Sequence, residues 1–172
     1  MASFEKLTDD ILNLGKSDEL KQYLKSHDGA YLVSAFFISS FDSKDITPWV
    51  IEYYCPSSGK VSTFSFDRKW NVTGDDSAFQ KKHKSLEALE ISAVKFSHGA
   101  EKANDELGKK FSGESPLKVI VILGMQDRKP LWNITIFTKS FKVINFKIDA
   151  VTGDTKNFVV DNLLSFDAKK KA

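Results

Sequence analysis

Residues 131–149 read LWNITIFTKSFKVINFKID. Trp132, Ile134 and Ile136 alternate with Asn133 and Thr135, the two-residue period of a strand with one covered face. Beyond the turn, Phe146 and Ile148 alternate with Asn145 and Lys147 in the same way. The stretch predicts a hairpin with strands over 131–138 and 141–149. Residues 49–67 repeat its layout. With Trp49 set on Trp132, Ile51 falls on Ile134, Tyr53 on Ile136 and Tyr54 on Phe137. After a one-residue gap in the turn, Lys60 falls on Lys142, Val61 on Val143, Phe64 on Phe146, Phe66 on Ile148 and Asp67 on Asp149. The shared pattern is W-x-I, a turn, then K-V-x-x-F-x-[FI]-D.

An apolar run precedes each hairpin: AYLVSAFFISSF at 30–41 and the stretch Leu117–Leu123. Continuous apolar runs of this length predict strands buried on both faces. Helical periodicity precedes each run in turn. Phe4, Leu7, Ile11 and Leu14 share one helical face; Gly15 interrupts it, and Ser17 is placed to cap a second helix carrying Leu20, Tyr23 and Leu24. In the second half Leu86, Leu89, Ala93, Phe96, Ala100, Ala103, Leu107 and Phe111 fall at three- and four-residue steps. They predict one amphipathic helix over 85–111, capped by Ser85, with a bend at Gly99, and ended by Gly113 and Pro116. Residues 68–84 read as a polar linker and 157–166 as a docking tail. The expectation is an α+β protein of two tandem α-β-β-β units, 1–83 and 84–172. Each would be a three-stranded antiparallel sheet covered by a helix. A buried Phe or Leu contributes ~2–3 kcal/mol, so such a stripe can hold this packing.

The second copy continues Asp149-Ala150-Val151-Thr152-Gly153-Asp154. This resembles the end of a PepSY domain, whose last strand closes on an Asp-Ala-x-Thr-Gly turn. The helix-strand-strand order before it, with Trp132 in the middle strand, is similar too, and the likeness covers about residues 85–160. The first copy departs from it, since Asp67 is followed by Arg68-Lys69-Trp70. The resemblance implies a non-catalytic module with a peptidase-inhibitory or regulatory role, in which Asp149 and Gly153 are structural. The residues agree with that assignment: Asp149 can accept local backbone N–H bonds and Gly153 can supply a positive φ.

Composition excludes several classes of function. With 25 basic and 23 acidic residues the net charge is +2, too small an excess for a dedicated nucleic-acid binder. The short basic cluster Lys81-Lys82-His83-Lys84 reads as a solvated approach to the helix. Hydrophobic residues make up 41% of the chain, with 14 Phe, 4 Tyr and 3 Trp, enough for a core without covalent staples. Cys55 is the single cysteine, so an internal disulfide is excluded, and it reads as a passive strand-end thiol. No apolar window approaches the length of a membrane span, and Met1–Lys6 lacks the pattern of a signal peptide. The location expected is cytoplasmic as written, or extracytoplasmic if the chain was trimmed. Asn71-Val72-Thr73 and Asn133-Ile134-Thr135 match the glycosylation pattern by chance.

Chemistry is expected to be sparse. His27, His83 and His98 are scattered, with no His-x-x-x-His and no Cys/His cluster, so no metal site is expected. No phosphate-binding glycine loop and no G-x-S-x-G occurs, and the pairs Asp9-Asp10 and Asp75-Asp76 read as surface carboxylates. No catalytic residue and no cofactor is expected. Two aromatics stand out. Trp70 follows the third strand, and Phe141 sits at the second hairpin's tip. Each is expected to dock on the neighbouring unit, with a contact to a partner as the alternative. The functional expectation is a non-enzymatic module that binds a protein or peptide through a sheet face or open strand edge, without nucleic acid or membrane insertion. The alternative is a carrier of a small apolar ligand between sheet and helix. Partner identity and oligomeric state do not follow from the residues.

Overall fold

The structure is a computed structural model and describes residues 4–40, 48–77, 86–99, 105, 108–109 and 111–164. The basic cluster 81–84, the Ser85 cap, the stripe positions Ala100, Ala103 and Leu107, and the end of the tail lie outside the described residues.

The chain opens with the two expected helices, but Gly15 lies inside the first and does not interrupt it. Helix α1 spans Phe4–Lys16 and α2 spans Asp18–Ser26. Ser17 separates them, its Oγ accepting the Leu20 N–H at 3.2 Å. Eight strands follow: β1 Tyr31–Ser40, β2 Val50–Cys55, β3 Lys60–Asp67, β4 Lys69–Ser77, β5 Pro116–Gln126, β6 Lys129–Thr138, β7 Lys142–Asp149 and β8 Thr155–Asn162. All neighbours pair antiparallel in one sheet, ordered β4-β3-β2-β1-β5-β6-β7-β8.

This corrects the expected pair of three-stranded sheets, each under its own helix. Two segments taken for linker and tail are strands. β4 lies within 68–84, entered through Arg68 at φ 60, and β8 begins just before the tail and takes up its first part. The stripe over 85–111 is not one helix either. Residues 86–90 form no regular element, Ile91–Ala93 form a single 3-10 turn, and the described helical residues begin at 96. The Leu89 N–H donates to the Leu32 carbonyl at 2.8 Å, so this strap bonds to the start of β1 instead of to a helical turn. Leu89 and Val94 of this strap are buried, whereas the expected stripe position Ala93 is exposed.

The halves meet where β1 pairs with β5. Ala35 lies opposite Ile51 in the first half and Val121 opposite Ile134 in the second. Ile51 and Ile134 in turn lie opposite Phe64 and Phe146. Across the seam Ala35 faces Leu123, Phe36 faces Ile122 and Phe37 faces Val121. Corresponding positions are therefore exchanged about the Phe36–Ile122 pair, as in an approximate two-fold.

One face of the sheet carries the core. Ala35, Phe37, Val121, Leu123, Ile134, Ile136, Ile144, Phe146 and Ile148 are buried there. Trp49 and Trp132, both fully buried, bring their rings to 6.3 Å across the seam. Tyr23 of α2 packs edge-on against Phe64 at 5.3 Å, and Phe96 against Trp132 at 5.9 Å. The opposite face is polar over β6 and β7, where Asn145 Nδ2 donates to Asn133 Oδ1 at 2.7 Å and Thr135 Oγ1 at 2.8 Å. Along the seam it is apolar: Ile38 is 40% and Ile122 37% exposed. The expectation that strands 30–38 and 117–123 are covered on both faces is thus corrected.

Candidate functional site

The sequence marked Phe141 and Trp70, and the fold separates them. Trp70, on edge strand β4, is only 6% exposed and stacks edge-on with Phe66 at 5.3 Å. Phe141 is 55% exposed at the β6–β7 tip, with φ at +63°. A bulky residue in that backbone region costs about 1–2 kcal/mol, so the tip must be held from outside.

The tip is well anchored. The Phe141 N–H donates to the Thr138 carbonyl at 3.1 Å, and the buried Thr138 Oγ1 accepts the Lys142 N–H at 3.1 Å. Ser140 Oγ and Lys142 Nζ both donate to the Glu114 carboxylate, and the Lys139 N–H donates to the Ser115 carbonyl at 2.8 Å. The Lys142 hydrogen bond, and after it that of Ser140, holds the Glu114 carboxyl below the usual carboxylate range.

The neighbouring chain end completes an exposed apolar corner. The Leu163 N–H donates to the Phe141 carbonyl at 2.9 Å. Val160, Leu163 and Leu164 stand out beside it, Leu164 at 69% exposure. Together they border the outer side of β8, the last strand of the sheet.

The register decides what that side offers. Residues 157–162 pair without interruption from Lys147↔Asn157 to Lys142↔Asn162. The Leu163–Phe141 bond continues this ladder and makes their pair a hydrogen-bonded one. Alternation in an antiparallel ladder then turns the N–H and C=O of Phe158, Val160 and Asn162 away from β7. The Phe158 N–H is met locally by Asn157 Oδ1 at 2.9 Å, as an outward-facing donor would be. The other edge differs: the β3–β4 ladder slips between Ser62 and Thr63, and β4 contains Gly74 and two acidic residues, Asp75 and Asp76. A slip of this kind blunts an edge against pairing.

Beside the start of β8 lies an open depression of about 560 Å³. It is lined by Lys129, Lys147, Lys156, Gln126 and Asn157, with Asp127 as the carboxylate. Lys147 Nζ donates to the neutral Gln126 Oε1 at 3.1 Å, whereas Lys156 Nζ stands 3.7 Å from Asp149 and 3.6 Å from Asp154. The sequence reading missed this cluster because its lysines are far apart in the chain and converge only in the sheet.

The turn after β7 is structural in this geometry. Asp149 Oδ1 accepts the N–H groups of Val151 and Thr152, each at 3.0 Å, and Gly153 adopts φ +78°. Burial pushes the Asp149 carboxyl up. The Thr152 and Val151 N–H bonds and the charges of Lys156 and Lys129 outweigh it and hold the carboxyl below its ordinary value. Ala150 ties the turn into the fold: its N–H donates to the Pro130 carbonyl and its carbonyl accepts the Lys95 N–H.

The remaining reactive groups do not converge. His27 stacks on Tyr23 at 4.0 Å at the end of α2, and His98 packs against Gly153. Cys55 is buried with its Sγ 3.1 Å from Ser57 Oγ, and that hydrogen bond lowers the thiol against the opposing effect of burial. Among the described residues no group of three His, Cys, Asp or Glu side chains could hold a metal ion, and no helix is long and apolar enough to cross a membrane.

No family profile and no curated protein matches this chain. Among solved structures it is similar in fold to a candidate lipoprotein from Clostridium difficile 630. The TM-score is 0.51 at 14% identity, over 84% of this chain and 91% of that one. At that identity the likeness concerns the fold alone.

Proposed function

We propose that this chain is a non-catalytic module that binds an extended peptide segment along the free side of β8. The observation that carries the reading is the outward N–H and C=O of Val160 beside the exposed Phe141, Leu163 and Leu164. Backbone groups of an edge strand give affinity to an added strand, and adjacent apolar side chains give it selectivity. A regulatory, peptidase-inhibitory role is what the PepSY resemblance implies for such a module. The matching ladders, Ile51 on Phe64 and Ile134 on Phe146, support reading 1–83 and 84–172 as divergent copies of one unit. The alternative, a carrier of a small apolar ligand, needs room between sheet and helices. That is where Trp49, Trp132, Phe37, Phe64 and Phe146 are fully buried.

Val160→Pro tests the proposal. Proline there removes an N–H that faces away from β7 and leaves the internal ladder whole. Random octapeptides displayed on phage and selected on the purified chain supply the probe. The selected peptide should shift the backbone amide resonances of residues 158–164, and Val160→Pro should weaken it about tenfold or more. Shifts confined to other strands, or full binding by a folded Val160→Pro variant, would refute the reading.

A further inference from the structure

The β8 edge has two chemically different ends, and they specify the order of residues in what it binds. We propose that the bound segment runs antiparallel to β8, apolar in its N-terminal half and acidic at its C-terminal end, so that its carboxylates enter the lysine-lined depression. This rests on the β8 edge reading and deepens it.

Direction comes first. Antiparallel ladders are somewhat more stable per residue than parallel ones, and every pairing in this sheet is antiparallel. A segment added in that sense meets Asn162, Leu163 and Leu164 with its beginning and Thr155, Lys156 and Asn157 with its end. The first region is apolar through Phe141, Leu163 and Leu164. The second opens onto the depression, with Lys156 on β8 itself, Lys147 one strand inward and Lys129 two strands inward. Long lysine side chains on adjacent strands can converge on one carboxylate from there.

Charge points the same way. Lys156 already lies between Asp149 and Asp154, but Lys147 is bonded to a neutral amide. Lys156 is thus already matched, and Lys129 and Lys147 are the ammonium groups of the lining that face its single carboxylate, Asp127. An acidic end gains there what a basic end would lose.

The test uses the full chain and three labelled synthetic octapeptides followed by fluorescence anisotropy. One alternates valine and threonine and ends in two glutamates with a free carboxyl terminus. One carries the glutamates at its amino end with an amidated terminus. One replaces the glutamates by lysines and is amidated. The first should bind about tenfold tighter than either other. In the double variant Lys129→Glu, Lys147→Glu, whose side chains line an open surface, that preference should vanish or invert while circular dichroism stays unchanged. Equal binding of all three, or a preference unaltered in the double variant, overturns the proposed polarity. If that equal binding is still lost in Val160→Pro, the edge reading stands and only the polarity falls. If no peptide binds, or Val160→Pro leaves binding intact, the edge reading falls and takes the polarity with it.

Discussion

The ring of His98 lies directly over Gly153: a Cβ added at Gly153 would stand 3.1 Å from its Cγ and Nδ1. The helical segment beginning at 96 therefore rests on the turn that closes β7, and the lack of a side chain at 153 permits the contact. Gly153 also sits at φ +78°. Gly153→Ala should cost about 1–3 kcal/mol, from backbone strain and the displaced ring together. Adding His98→Ala should recover the steric part only. Urea titrations of the two single variants and the double variant give the coupling, and full additivity would show that the contact is not felt.

Phe141→Gly separates stability from binding. Glycine adopts φ +63° without the steric cost that phenylalanine carries. Thermal unfolding should be unchanged or shifted upward, by an amount corresponding to ~1 kcal/mol, while affinity for a β8-edge peptide falls. A large loss of stability would mean that the Phe141 side chain serves the fold.

Trp132→Ala should destabilise by about 3–5 kcal/mol, since the indole is fully buried and touches both Trp49 and Phe96. Trp49→Ala should do likewise. The double variant should lose less than the sum, because each removal opens space beside the other. Chemical denaturation with unchanged slopes is the measure.

Asp149 makes stability depend on acid. Its folded pKa lies below the unfolded value, near 3.9. Its contribution is therefore complete above that value and is lost as the pH falls through the folded one. Asp149→Ala should cost about 2–3 kcal/mol at pH 7 through the lost turn bonds. The gap between variant and wild type in urea midpoint should be wide at pH 6 and narrower at pH 3. A gap of constant width would rule out this linkage.

The two hairpins and both opening helices were legible because each obeys one period, as Trp132, Ile134 and Ile136 do on β6 and Leu7, Ile11 and Leu14 do on α1; β1 and β5 were legible as continuous apolar runs. The edge strands were not. A strand with one neighbour and little cover has no need to alternate, and β8 is exposed along nearly all its length. The start of the second helix was misread because Leu86, Leu89, Ala93 and Phe96 fall at helical steps by coincidence: the strap buries Leu89 and Val94 and leaves Ala93 exposed. Phe141 was legible as an aromatic where the other hairpin has Ser58 or Gly59. Its neighbours Leu163 and Leu164 were assigned to a docking tail. The lysines of the depression gave no linear signal, because sheet order alone brings positions 129, 147 and 156 together.

The exchange of corresponding residues about Phe36 and Ile122 has a consequence for any truncated product. A first half parted from the second would expose the long side of β1, whose natural neighbour is a strand of its own kind. Two such fragments could lie head to tail about their Phe36 residues, each Ala35 facing the other's Phe37. Proteolysis between the halves would then yield self-associating pieces, and the intact polypeptide protects itself by supplying its own counterpart.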